Sequence, residues 1–257
     1  MNGHRALAGG RGGARPGSPP GRALPILVVI ILNILPLRSS ALAQFVLPEA
    51  ELQIFKDCPD CPEMVRLPDG KAIGRTPVTR RSFAVFAKET GFQQTDWGCT
   101  WSFPEIPQND DHPVVCLSWN DAAAYAAWLS SRTGKTYRLP TVEEVRYAAL
   151  GGETTPYWWG ADIGKGRANC RSCGSKWDGR STAPAGAFQA NRYGVLDAVG
   201  NVWLWTQTCH DDACGERMLI GGAWSSAPGD LRVSRQIWNG VTLRYDTYGL
   251  RVMSDGE

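Results

Sequence analysis

The sequence predicts an α+β domain with little regular secondary structure, stapled by disulfides. Three observations carry that expectation. Helical periodicity is confined to three stretches before Gly152. From Gly151 onward Gly, Pro, Ser, Asn and Trp dominate, leaving only short strand-like runs. All eight cysteines lie after an N-terminal segment that reads as a leader rather than as fold.

That segment comes first. Residues 1–22 carry Arg5, Arg11, Arg15 and Arg22 and no acid, and the apolar run Ala23 to Leu37 follows, interrupted by Pro25, Asn33 and Pro36. Ala41-Leu42-Ala43 then supplies a small-x-small site. A basic head, a short apolar centre and an Ala-x-Ala site describe a secretory signal peptide cleaved after Ala43. A membrane anchor is the alternative, but it needs about 20 apolar residues and tolerates Pro and Asn poorly. The predicted organisation is a signal peptide over 1–43 and a single domain over 44–257, placing the mature chain in the periplasm or outside the cell. Five of the 27 basic residues precede Gln44 and none of the 25 acids does, leaving 22 against 25 and a net charge of −3. A weakly acidic domain of mixed sign shows no footprint for nucleic acid, and after cleavage none for a membrane.

The first helix is predicted from Thr79, with Phe83, Phe86 and Ala87 spaced for one face, to an end near Gly91. Ser118-Trp119-Asn120-Asp121 has the form of a capping box, and Tyr125, Trp128 and Leu129 continue its apolar stripe to Gly134. Thr141-Val142-Glu143-Glu144 opens the third helix, through Tyr147 and Leu150 to Gly151. Strand-like runs follow at Val199 to Thr206, Met218 to Ala223 and Leu250 to Met253. Alternation puts Trp203 and Trp205 on one face, available for burial. So long an irregular stretch needs another source of order, and disulfides with buried Trp provide one.

An even cysteine count in an exported chain reads as a disulfide framework, although the count alone permits many connectivities. Spacing suggests three local pairs, Cys58 with Cys61, Cys170 with Cys173 and Cys209 with Cys214, which leaves Cys99 and Cys116 to close a longer loop. The two Cys-x-x-Cys units lie too far apart for a compact zinc ribbon. Cys58-Pro59-Asp60-Cys61 lacks the strand–helix context of a redox motif.

Several ordered blocks carry a family resemblance. They are Cys58-Pro59-Asp60-Cys61-Pro62-Glu63-Met64-Val65, Thr76 to Phe83, Asp111-His112-Pro113-Val114-Val115-Cys116-Leu117-Ser118-Trp119, Tyr137-Arg138-Leu139-Pro140-Thr141-Val142-Glu143-Glu144, and Tyr157-Trp158-Trp159-Gly160. Tyr193-Gly194-Val195-Leu196-Asp197-Ala198-Val199-Gly200-Asn201-Val202-Trp203-Leu204-Trp205-Thr206, Ile220-Gly221-Gly222-Ala223-Trp224 and Tyr248-Gly249-Leu250-Arg251 complete them. Across roughly residues 58–253 the chain resembles the formylglycine-generating enzyme (sulfatase-modifying factor) family. The resemblance implies a C-type-lectin-like fold. Residues near 66–76 are fewer than the family's usual number, implying that its early hairpin is largely missing.

The resemblance also defines candidate sites. Copper-dependent members carry two cysteine thiolates after the Gly-Gly-Ser-Trp turn, as soft Cu(I) requires. Ser226 and Leu231 fall about where those cysteines belong, so copper is not expected. Cys209 and Cys214 lie on the other side of that turn, and their pairing with each other is expected to keep them from replacing the thiolates. One family calcium site would use Asn169 and Asp178 with carbonyls near Cys170 and Arg180, the alternative being that both side chains shape turns. A second would use Asp197 and carbonyls of Gly200 and Val202, but Leu204 replaces its usual Glu. A non-haem iron triad needs two His and a carboxylate. Residues 44–257 hold only His112, expected to make a structural hydrogen bond, and His210, beside Asp211-Asp212 in a loop. Arg251 is expected in a buried ion pair, whereas Trp224, Ser226, Arg232 and Arg235 form a candidate binding surface for a carboxylate or anionic peptide group. Arg244 belongs to the same arginine-rich stretch.

Three functional expectations follow. The first is a periplasmic maturation or tailoring enzyme acting on an exported protein, peptide or small metabolite. The second is a non-catalytic peptide- or protein-binding module, and the third a residual formylglycine-generating oxidase.

Overall fold

A computed structural model describes residues 52–95 and 98–256. The predicted leader and its cleavage site lie outside the described residues. Among the described residues no helix is long and apolar enough to cross a membrane.

The three predicted helices form where their caps place them. Helix α1 (Arg80–Thr90) is capped by the Thr79 hydroxyl, which accepts from the Ser82 N–H, and ends on Gly91 at φ 68°. Helices α2 (Trp119–Thr133) and α3 (Val142–Leu150) both open on complete capping boxes, Ser118 with Asp121 and Thr141 with Glu144. In each box a side-chain oxygen satisfies an otherwise orphaned N–H at each of two positions. The predicted stripes of α1 and α2 meet: Phe83 stacks on Tyr125 at 5.7 Å between centroids, and Phe86 packs on Trp128 at 5.6 Å.

Among the described residues nine short strands make two sheets. The first has the order β1 (Ile54–Phe55), β2 (Met64–Arg66), β3 (Ala72–Gly74), β9 (Met253–Ser254) and β4 (Tyr137–Arg138), antiparallel throughout. The second runs β7 (Gln236–Gly240), β6 (Glu216–Ile220), β5 (Trp203–Cys209) and β8 (Tyr248–Gly249), with β5 and β8 parallel. The hairpin expected to be largely missing is present as β2–β3, with a tight connection through Pro68-Asp69-Gly70 in which the Gly70 N–H donates to the Leu67 carbonyl at 3.0 Å.

Predicted strand boundaries shift for a local reason. The run expected from Val199 enters its strand only at Trp203, because Asp197, Gly200 and Asn201 all hold positive φ and keep the chain turning. The second run stops at Ile220 because Gly221 and Gly222 are left-handed. The third divides into β8 and β9, and the buried residues Leu250 to Val252 cross between the sheets. Trp203 and Trp205 both enter the core as expected, and the Trp205 indole N–H donates to the Leu117 carbonyl at 2.8 Å.

Cys58 pairs with Cys61, Cys99 with Cys116, Cys170 with Cys173 and Cys209 with Cys214, leaving no cysteine free. The last of these closes the turn between β5 and β6, where Cys214 is left-handed at φ 55° and donates its N–H to the Asp211 carbonyl at 3.2 Å. Sheet and helix are joined by Glu144. It accepts from both guanidinium arms of Arg138 (2.7 and 2.8 Å), from Lys71 (2.7 Å) and from the Thr141 N–H (2.8 Å). Burial raises its proton affinity, but these donors outweigh burial and hold it well below the usual carboxylate range. A depressed folded-state pKa contributes stability that is present above about pH 4.5 and is lost as pH falls through the folded value. Glu144→Gln is expected to cost about 2 kcal/mol at pH 7 and to flatten stability between pH 5 and 3. Urea melts at those three pH values check both effects.

Candidate functional site

The turn after β6 is built on close backbone approach. A Cβ on Gly222 would lie 2.6 Å from Leu231 Cδ1, and one on Gly200 would lie 2.7 Å from the Asn169 carbonyl and 2.9 Å from Leu231 Cδ2. Three stretches of backbone, around 168–169, 200–201 and 221–223, therefore converge on one leucine. Asn201 fastens them. It is fully buried at φ 70° and exchanges hydrogen bonds with both the N–H (2.8 Å) and carbonyl (3.0 Å) of Ala183. It also accepts from the Asn169 amide at 3.1 Å, and its carbonyl receives the Trp224 N–H at 3.0 Å. Asn tolerates this left-handed backbone better than most residues, and here its side chain is used as well. Sequence reasoning misses this hub, although the Gly200-Asn201 pair is its signal.

Ser226 and Leu231 both have structural partners. The Ser226 hydroxyl accepts from the Ala223 N–H at 3.0 Å, its own N–H returns to Ala223, and its carbonyl receives Arg171 at 2.9 Å. Leu231 is fully buried at the end of a short 3-10 helix, Pro228–Leu231, whose first turn is capped by Asp230 on the Ala227 N–H at 3.2 Å.

The candidate surface is only partly assembled as expected. Trp224 is half-buried, with its indole N–H on the Asp246 carbonyl at 3.2 Å. Arg232 and Arg235 are exposed or nearly so, and Arg235 lies 3.5 Å from Asp230. Arg244 is directed elsewhere. It grips Asp121 in the α2 capping box through two bonds of 2.7 and 3.2 Å, and Gln94 adds another at 3.0 Å. Burial raises the proton affinity of Asp121, but the bonds from Arg244, the Ser118 N–H and Gln94 prevail and hold it below its ordinary value.

The arginine of the Gly-Leu-Arg block is buried as expected, but its contacts correct the predicted ion pair. Arg251 donates to the carbonyls of Gly74 (2.7 Å), Leu196 (2.9 Å) and Asp197 (3.0 Å). The Asp197 carboxylate turns instead to the N–H groups of Gly186 and Phe188, at 2.6 and 3.1 Å. Burial raises Asp197 to about 6 and lowers Arg251 to about 10.

These contacts bear on calcium. At the first family position Asp178 accepts the Ser172 and Gly174 N–H groups with its two oxygens, closing the Cys170–Cys173 loop, and Asn169 Oδ1 accepts the Ser175 hydroxyl at 2.7 Å. At the second, Asp197 faces two backbone donors and its carbonyl receives a guanidinium, while the Gly200 carbonyl takes the Val202 N–H at 2.8 Å. A calcium ion needs six to eight oxygens turned toward one centre. The side-chain oxygens of Asn169, Asp178 and Asp197 are turned to internal donors, as those of turn-shaping residues are. His112 is buried and meets the Thr182 hydroxyl at 2.8 Å, whereas His210, inside the Cys209–Cys214 loop, is exposed and stacks on Trp238 at 4.2 Å.

Comparison with known proteins places this geometry. Residues 45–256 match the model of the sulfatase-modifying factor enzyme 1-like domain. The formylglycine-generating enzyme of Mycobacterium tuberculosis is 40% identical over 134 residues, covering 45% of this chain and 42% of the relative. The mouse (Mus musculus) protein named inactive C-alpha-formylglycine-generating enzyme 2 is 29% identical over 241 residues, covering 71% and 74%. The structure of PvdO from Pseudomonas aeruginosa superposes with a TM-score of 0.70 at 28% identity, covering 79% of this chain and 98% of that one. With the family model matching most of its length, this chain belongs to the sulfatase-modifying factor (formylglycine-generating enzyme) family.

Proposed function

We propose that this chain is an exported, periplasmic maturation or tailoring factor that acts without copper-dependent formylglycine generation. One observation carries the reading. About where the resemblance places the thiolates of copper-dependent members stand Ser226, whose hydroxyl holds the turn, and Leu231, which is fully buried. The eight cysteines are all paired with one another, so none, Cys209 and Cys214 included, supplies a replacement thiolate. Cu(I) selects soft sulfur, and neither a hydroxyl nor an isobutyl group substitutes for it. A similar mouse protein bears the name of an inactive formylglycine-generating enzyme, which accords with this. Export is supported by the four disulfides, which persist in oxidising compartments.

The purified chain is expected neither to bind Cu(I) in competition with a bicinchoninate chelator nor to convert a Cys-x-Pro-x-Arg peptide in a mass-spectrometric assay. Conversion of the peptide would overturn the reading in favour of the oxidase. A second reading, a non-catalytic binding module, is favoured by the rigid anchoring of the 223–231 turn beside Arg232 and Arg235. Comparing exported metabolites and proteins of a gene-deletion strain with the parent separates the two. A tailoring role requires an unmodified substrate to accumulate.

A further inference from the structure

Charge is unevenly paired over this molecule. Several exposed or half-buried cations elsewhere sit beside carboxylates, as Arg75 does with Glu63 (2.7 Å), Arg81 with Asp111 (2.8 Å) and Arg132 with Asp60 (3.3 Å), although Arg66 and Arg217 meet backbone carbonyls instead. Between residues 165 and 180 lie five cations, Lys165, Arg167, Arg171, Lys176 and Arg180, and among the described residues none has a carboxylate partner. The same is true of Arg232.

The neighbouring acids do not cancel them. Asp178 directs both oxygens to backbone N–H groups, and Asp230 serves the Ala227 N–H and Arg235. Asp162, at the start of the segment, is the remaining acid between residues 160 and 180. Residues 44–257 carry a net charge of −3, so this concentration runs against the balance of that span.

The backbone that carries these cations is held at several points. Cys170–Cys173 and the Gly166 N–H on the Cys173 carbonyl (2.7 Å) fold the segment on itself. Lys165 packs over Gly174 and Arg171 over Gly179, where an added Cβ would lie 3.5 and 3.6 Å from their side chains. The Arg171 N–H reaches the Ser226 carbonyl at 2.9 Å. Ala168 and Leu231 meet at Gly200, which brings their chain neighbours Arg167 and Arg232 to adjoining backbone.

We propose that this loop surface, centred on Arg167, Arg171 and Arg232, binds an acidic segment of a polypeptide. Like charges held on a stapled scaffold repel one another, and a ligand bearing several carboxylates relieves that repulsion while pairing with planar guanidinium forks. The cations are spread along loops, which suits an extended polyanion better than a small molecule. A bilayer is disfavoured, because the exposed large hydrophobic residues (Leu52, Ile54, Phe103, Trp238, Leu243 and Tyr245) all lie in other segments, so this one offers no apolar wedge for a membrane. The inference holds whether or not the domain turns over a substrate.

The test uses fluorescein-labelled poly-L-glutamate with the disulfide-intact chain, read by anisotropy at about 50 and 150 mM salt. Saturable binding that weakens with salt is expected. The triple variant Arg167→Glu, Arg171→Glu, Arg232→Glu should weaken it at least tenfold, whereas Arg81→Glu, at an ion-paired exposed position, should leave it unchanged. If the triple variant fails to fold, Arg167→Gln and Arg232→Gln singly should each weaken binding several-fold. Absence of binding by the unmodified chain, equal binding by the folded variants, or tighter binding to phosphatidylglycerol vesicles than to poly-L-glutamate would overturn the proposal. None of these outcomes depends on copper or on turnover.

Discussion

Arg251→Met should lower folding stability by about 4 kcal/mol, a large share of the roughly 5–15 kcal/mol typical of a domain. The guanidinium is fully buried and answers three carbonyls, those of Gly74, Leu196 and Asp197, from two distant parts of the chain. Methionine fills similar volume but donates nothing, so all three acceptors lose this donor in the interior. Arg251→Lys should recover less than half of the loss, because one ammonium cannot reproduce the planar fork. Urea denaturation of the three proteins at pH 7 measures both differences. A Met variant within about 1 kcal/mol of the parent would mean that water or neighbouring N–H groups replace the arginine.

Gly200→Ala is expected to cost about 3 kcal/mol or more, from two additive causes. The backbone is left-handed at φ 80°, and the new methyl would stand 2.7 Å from the Asn169 carbonyl. That carbonyl cannot easily retreat, because it accepts the Asn201 N–H at 2.9 Å. Gly91→Ala isolates the first cause. Gly91 is also left-handed, at φ 68°, but has nothing within 4 Å of an added Cβ, so about 1 kcal/mol is expected there. Thermal melts of both variants test the comparison. Equal losses would show that steric overlap at Gly200 is relieved by movement.

The contrast between these positions also explains what is legible in the sequence. Helix ends are readable because a cap is local: Thr141 and Glu144 lie three residues apart and satisfy each other's N–H groups. The short-range disulfides, such as Cys209 with Cys214, share that property. The strands do not, since most are two to five residues long and owe their existence to partners far along the chain, as β3 does to β9. The hairpin at 64–74 pairs locally but goes unrecognised in the sequence, because its strands are only three residues each. At the candidate site, the expectation that Ser226 and Leu231 fall about where the family's thiolates belong is read from order along the chain. Where Arg244 and Arg251 point is not, because nothing local to either arginine indicates Asp121 or the Gly74 carbonyl.

The path of the chain from Tyr248 to Ser254 bears on when the molecule can become itself. Within seven residues it lays β8 beside β5, buries Leu250 to Val252 and inserts β9 between β3 and β4. The N-terminal hairpin and β4 have no direct pairing with each other, so the first sheet is two fragments until this late segment arrives. Joining those fragments therefore depends on contacts with a large sequence separation, which form slowly, whereas β5, β6 and β7 of the second sheet pair without β8.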